Sequence, residues 1–181
     1  MRELRLKGQI KLHWSDESAS RRRKIVHAVA ELEPITMLVA HLSDPAKKTE
    51  RFRRLCLERI YSELHAMKVC RATLETRTDS QDKRDVAHLV SLQNKGVFQG
   101  LRIEHKRGGD EPLLWIADTL LGAFNARKRD GDSSYWSILE KTLDTNVVTA
   151  QSKSASGGGL AAKKCVWQGP ASQSAVGLYA R

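Results

Sequence analysis

The sequence predicts an α/β domain, a mainly parallel sheet flanked by helices. Two observations lead there. Short apolar runs alternate with segments of helical period, in the order strand, helix, strand, helix, strand, helix, and such an order implies right-handed crossovers and parallel pairing. The run Ile35-Thr36-Met37-Leu38-Val39-Ala40-His41-Leu42 is almost continuously apolar, as a strand inside a buried sheet must be. With 181 residues, 40% of them hydrophobic, the chain has enough material for one domain with a real core.

Taken in order, residues 1–18 are short and basic, with Lys11-Leu12-His13-Trp14 ahead of a cap-like Ser15-Asp16-Glu17-Ser18. A helix over about 19–32 follows and stops before Pro34. After the first strand, Ser43-Asp44-Pro45 turns the chain into a long helix over about 48–67, with Phe52, Cys56, Ile60, Leu64 and Met67 at helical spacing. The second strand spans 69–75 and ends on Glu75. A helix over about 80–94 carries Val86, Leu89 and Val90 inward and ends at Lys95-Gly96. The third strand spans 101–105, and Arg107-Gly108-Gly109 turns into a further helix. There Asp110 is placed as the cap and Pro112 in the first turn. Leu113, Ile116, Ala117, Leu120 and Phe124 share one face of it, flanked by Leu114 and Leu121. A short helix over about 134–143 closes the domain, assigned to residues 1–145. Residues 146–181, with Gln151-Ser152-Lys153-Ser154-Ala155-Ser156-Gly157-Gly158-Gly159, read as a flexible Ser/Gly-rich tail.

Composition narrows the function classes. Lys and Arg outnumber Asp and Glu by 31 to 21, a net charge of +10 that favours polyanions such as nucleic acid. Aromatic residues are only 6%, too few for a single-strand stacking platform. Three cysteines with no CxxC pair argue against a disulfide framework and a structural zinc site, and Cys56 and Cys70 read as small buried hydrophobes. The sequence has neither a membrane-spanning apolar run nor the apolar core of a signal peptide, so the expected compartment is the cytoplasm.

The chemistry centres on acids. Asp118 lies just outside the apolar face of its helix, between Leu114, Trp115, Leu121 and Gly122, where a carboxylate needs a hydrogen bond, a cation or a metal. It is either a structural tie or part of a site. Glu75 ends a strand, and in parallel sheets ligands gather at the carboxyl ends of the strands. Glu75, Asp118 and one of Asp79, Asp82 or Asp85 could form a carboxylate cluster around Mg²⁺, with Asp82 the best third member and Asp85 more lateral. Asp79 and Asp82 equally suit a helix first turn. Arg59 and Glu63 are spaced as an ion pair, with Glu63 a further candidate ligand, and His88 is spaced to pair with Asp85 on the helix surface. Arg21-Arg22-Arg23-Lys24, and Lys47, Lys48, Arg51, Arg53 and Arg54, are basic clusters able to track a phosphate backbone or simply be solvated.

Lys11-Leu12-His13-Trp14 before Arg21-Arg22-Arg23, the strand end Leu74-Glu75-Thr76-Arg77, and Leu114-Trp115-Ile116-Ala117-Asp118 with Gly122-Ala123 resemble an uncharacterised bacterial and phage domain family of ribonuclease-H-like fold, related to integrases and nucleases. The resemblance covers roughly residues 9–127. It implies a metal-dependent nuclease-type site, with Glu75 and Asp118 as the metal ligands by motif position. Such proteins open with an apolar strand bearing an Asp-Glu pair that supplies the first ligand. Here Asp16-Glu17-Ser18 follows no apolar strand and reads as a cap, so the expected fold is N-terminally incomplete. The expected function is nucleic-acid processing, by a divalent-metal-dependent nuclease or a degenerate relative of one. A non-catalytic nucleic-acid-binding or protein-interaction module is the alternative, and a gene fragment without activity the third reading.

Overall fold

Ser18 starts the first helix as the sequence implies, its hydroxyl accepting the Arg21 backbone N–H. The computed structural model describes residues 1–34, 36–40, 49–140, 145–149 and 179–180. Within them the chain is α/β. Helices α1 (Ala19–Glu31), α2 (Thr49–Ala66), α3 (Asp79–Gln93), α4 (Leu114–Arg129) and α5 (Trp136–Leu139) accompany strands β1 (Thr36–Ala40), β2 (Arg71–Glu75), β3 (Arg102–Lys106), β4 (Thr145–Thr149) and β5 (Tyr179–Ala180). β1 pairs with β4 in parallel. β2 lies between β3, parallel, and β5, antiparallel. The parallel pairing of β2 with β3 across α3 is the crossover expected from the sequence. β4 and β5 are additions that it did not announce.

The apolar side chains form two clusters. Leu12, α1, Leu38 of β1, α4 and α5 make the first; α2, Ala72 and Leu74 of β2, Leu89 of α3 and Leu101 make the second. Alternation along the strands explains the division, because successive side chains take opposite faces. Leu38 joins the first cluster and its neighbour Val39 packs against the second. In β2, Leu74 belongs to the second cluster, so Glu75 takes the other face. In β3, Ile103 packs with the second cluster, which puts His105 on that face as well, opposite Leu74 in register.

Several helix faces differ from expectation. In α2 the buried stripe includes Arg53, Leu57 and Tyr61 beside Ile60 and Leu64, whereas Met67 lies past the helix end and is exposed. In α3 Leu89 is buried, but Val86 and Val90 are exposed and the fully inward companion of Leu89 is Asp85. Cys70 precedes β2 and is exposed. α4 begins at Leu114 without a side-chain cap, so Asp110 and Pro112 belong to the preceding turn. Its inward face is centred on Thr119 and Ala123, both fully buried, and Thr119 returns its hydroxyl to the Trp115 carbonyl at 2.7 Å. Lys47, Lys48 and residues 150–178, which include most of the expected tail, lie outside the described residues.

Candidate functional site

The segment Lys11-Leu12-His13-Trp14 runs from Glu75 at the end of β2 to Asp118 on α4. Leu12 is fully buried in the first cluster. Lys11 Nζ lies 2.6 Å from Glu75 Oε1, and the Trp14 backbone N–H donates to Asp118 Oδ2 at 2.8 Å. His13 Nδ1 is 3.9 Å from the same Asp118 oxygen. One strap of four residues therefore meets both predicted acids. Glycines make room for it. A Cβ at Gly108 would overlap the Glu75 carboxylate, and one at Gly122 would overlap the indole of Trp14. Trp14 is also held edge-on by Tyr135 at 5.1 Å and covered by the Arg22 guanidinium at 5.1 Å. The Gly108 carbonyl accepts Trp115 Nε1 at 2.6 Å, so the turn beneath Glu75 is fastened to α4 one helical turn before Asp118.

Asp82 does not join this pair. Its Oδ2 accepts the Thr76 hydroxyl and its Oδ1 the Arg77 N–H at 3.0 Å, on the opposite face of the sheet. Burial pushes the Asp82 carboxyl upward, but these two hydrogen bonds, with His105 and Arg77 nearby, hold it below its ordinary value. Asp79 is exposed in the first turn of α3, as the helix dipole favours.

The richest polar cluster is centred on Asp85, which is buried rather than lateral. Arg53 Nη2 meets Asp85 Oδ2 at 2.7 Å with both side chains almost fully buried, a departure from a solvated basic cluster. Arg77 reaches Asp85 Oδ1 at 3.4 Å and pairs with Glu50 at 2.6 Å. His105 Nε2 stands 3.7 Å from Asp82 and 3.5 Å from Asp85. Asp82, Asp85 and His105 could together hold a metal ion. The sequence offered Asp85 only as a lateral third acid, Arg53 only as one of a basic cluster and Arg77 only within the Leu74–Arg77 motif, and it gave His105 no role. The signals were present: Asp82 and Asp85 are three apart on one helix, and His105 continues the Leu101, Ile103 alternation.

His88 pairs with Glu58 across the α2–α3 contact at 3.1 Å rather than with Asp85. Burial lowers its basicity against the pull of Glu58. Arg59 and Glu63 form the expected pair. Of the basic run on α1, Arg21 binds Glu17 at 2.6 Å and the Leu4 carbonyl, and Arg22 binds the Trp14 carbonyl at 2.9 Å. Arg23 and Lys24 are exposed.

No family model, curated protein or solved structure matches the chain. Among the described residues, no helix is long and apolar enough to cross a membrane.

Proposed function

We propose that the protein is a nucleic-acid-binding member of the nucleic-acid-processing class, of ribonuclease-H-like plan, in which the nuclease-type acids are held by the protein's own groups. The observation that carries this reading is the strap. Lys11 neutralises Glu75 at 2.6 Å and the Trp14 N–H engages Asp118 at 2.8 Å, so each acid that a nuclease would use as a metal ligand already has a partner within the protein. The donor set does not fit a Mg²⁺ pair. Glu75 is bound to an ammonium, Asp118 to a backbone N–H, and the third expected acid, Asp82, is held on the opposite face, so the three expected acids do not face one ion pair. The net charge of +10 supports attraction to a polyanion, with Arg23 and Lys24 the exposed members of the α1 run.

The test is fluorescence anisotropy with labelled DNA and RNA oligonucleotides, paired with a gel assay for cleavage. Binding at low salt, equal in EDTA and in Mg²⁺ and retained in Asp118→Asn, is the expected result. Failure to bind at low salt overturns the reading.

A second reading, an active Mg²⁺-dependent nuclease, is favoured by one observation. The Lys11, Glu75, His13 and Asp118 side chains are all partly exposed, between 24% and 42%, so a polymer could reach them. Cleavage that requires Mg²⁺ and disappears in Glu75→Gln would establish it.

A further inference from the structure

We propose that Asp82, Asp85 and His105 form a site for one divalent transition-metal ion of the zinc, cobalt or manganese class, clipping α3 to the carboxyl end of β3. The site lies on the opposite face of the sheet from Glu75 and is independent of the nucleic-acid reading.

The imidazole provides the observation beyond acidic clustering. The His105 side chain is 10% exposed, and its Nε2 is buried without a hydrogen-bond partner. That atom stands between two carboxylate oxygens, 3.7 Å from Asp82 Oδ1 and 3.5 Å from Asp85 Oδ2. Both separations exceed the roughly 2.7–3.2 Å of an N–H···O bond. They match a coordination shell instead, because two donors each about 2.1 Å from a tetrahedral ion stand about 3.4 Å apart. The three ligand atoms all lie within 4.8 Å of one another.

Local structure explains the convergence. Asp82 and Asp85 share a face of α3 by their spacing of three. β3 brings His105 to the same place through its pairing with β2. Hydrogen bonds also fix the carboxylates: Thr76 and the Arg77 N–H orient Asp82, Arg77 lies 3.4 Å from Asp85 Oδ1, and Arg53 shares with the ion the Asp85 Oδ2 that faces His105. The two guanidiniums moderate the affinity for a cation. Against them stand Glu50, Asp82 and Asp85, which leaves an excess of one negative charge when His105 is neutral. An imidazole with two carboxylates selects borderline transition metals over Mg²⁺ or Ca²⁺, which prefer oxygen-only shells. The Asp85, His105 and Asp82 side chains are only 3%, 10% and 14% exposed, so the ion serves a structural purpose.

The experiment uses the full chain, stripped with EDTA and exchanged into metal-free buffer. Co²⁺ is titrated while visible absorption is recorded, and bound Zn²⁺ is counted by mass spectrometry after gel filtration. One ion per chain is expected, with a thermal midpoint that rises with metal concentration. His105→Gln and Asp82→Asn should each weaken Co²⁺ binding by more than about 100-fold, beyond the 10–100-fold typical of losing an outer partner. Replacing exposed residues outside the cluster, His27→Gln and Cys70→Ser, should leave binding unchanged. If His105→Gln does not fold, Asp82→Asn and the wild-type stoichiometry decide. The proposal is overturned if the folded wild type binds neither ion, or if a folded Asp82→Asn or His105→Gln protein binds as tightly as wild type.

Discussion

Replacing Asp118 separates a structural anchor from a metal ligand, because the two roles respond differently to Asn. Asp118 Oδ2 accepts the Trp14 N–H at 2.8 Å with its side chain 24% exposed. A hydrogen bond to a charged group contributes about 1.5–3 kcal/mol, and partial exposure puts this one near the lower end. Asp118→Ala removes the acceptor and leaves the Trp14 N–H unsatisfied under the strap, so the expected cost is about 2 kcal/mol. Asp118→Asn keeps a carbonyl oxygen in the same place and loses only the charge assistance, an expected cost below about 1 kcal/mol. For a chain of this size each kcal/mol moves Tm by about 2–4 °C, giving a fall of about 4–8 °C for Ala and less than about 4 °C for Asn. Scanning calorimetry at neutral pH, with urea unfolding as a second measure, reads both. Equal losses for Asn and Ala, or a loss below about 0.5 kcal/mol for Ala, would refute the anchor.

The same structure makes three further predictions. Arg53→Met leaves Asp85 buried with only the longer Arg77 and His105 contacts, and should cost about 3 kcal/mol by urea denaturation; a cost below about 1 kcal/mol would show that the pair is not desolvated. Gly122→Ala gains up to about 1 kcal/mol of helix propensity but drives a methyl group into Trp14, so a net loss of about 1–2 kcal/mol is expected, and a stabilised variant would mean that the strap does not dock there. Stability should fall in two stages on acidification. The folded basicity of His88 lies below its ordinary 6.5, so the unfolded chain takes up that proton first and stability declines as the pH drops from about 6.5 through the lower folded value. Asp82 and Glu17, held below 3.8 and 4.5, contribute a stabilisation present above those values and lost as the pH falls through the folded ones. Urea midpoints from pH 7 to 3 measure both stages, and His88→Gln should flatten the upper one; an unchanged upper limb contradicts the assignment.

Strand and helix periodicity made the α/β order from β1 to α4 readable, because those elements bury one apolar stripe or run each. Glu75 and Asp118 were readable as candidate acids, the first because it ends a strand of a parallel sheet and the second because a carboxylate between Leu114 and Leu121 must find a partner. Their partners were not. Lys11 and the Trp14 N–H come from a segment with no regular pattern, and pairing across such a distance in the chain leaves no local trace. Asp85 escaped for a different reason. Its burial is offset by Arg53 on α2 and Arg77 after β2, and a hydrophobic pattern assigns charged residues to solvent even when two of them neutralise one another inside. Val86 and Val90 are the converse case, valines placed inward by apolarity alone that remain exposed while Asp85 and Leu89 take the interior. Arg21 and Arg22 likewise looked like phosphate contacts, yet they fasten the N-terminal segment to α1.

The nucleic-acid reading is tested most directly by the salt dependence of oligonucleotide binding in EDTA. For a protein that neutralises several phosphates, log K falls linearly with log salt, by about 0.9 per phosphate on duplex DNA. The prediction is such a line for wild type, with the slope reduced by about 2 when Arg23 and Lys24 are both replaced by Ala. Absence of binding at low salt, or a slope indifferent to both residues, would contradict it.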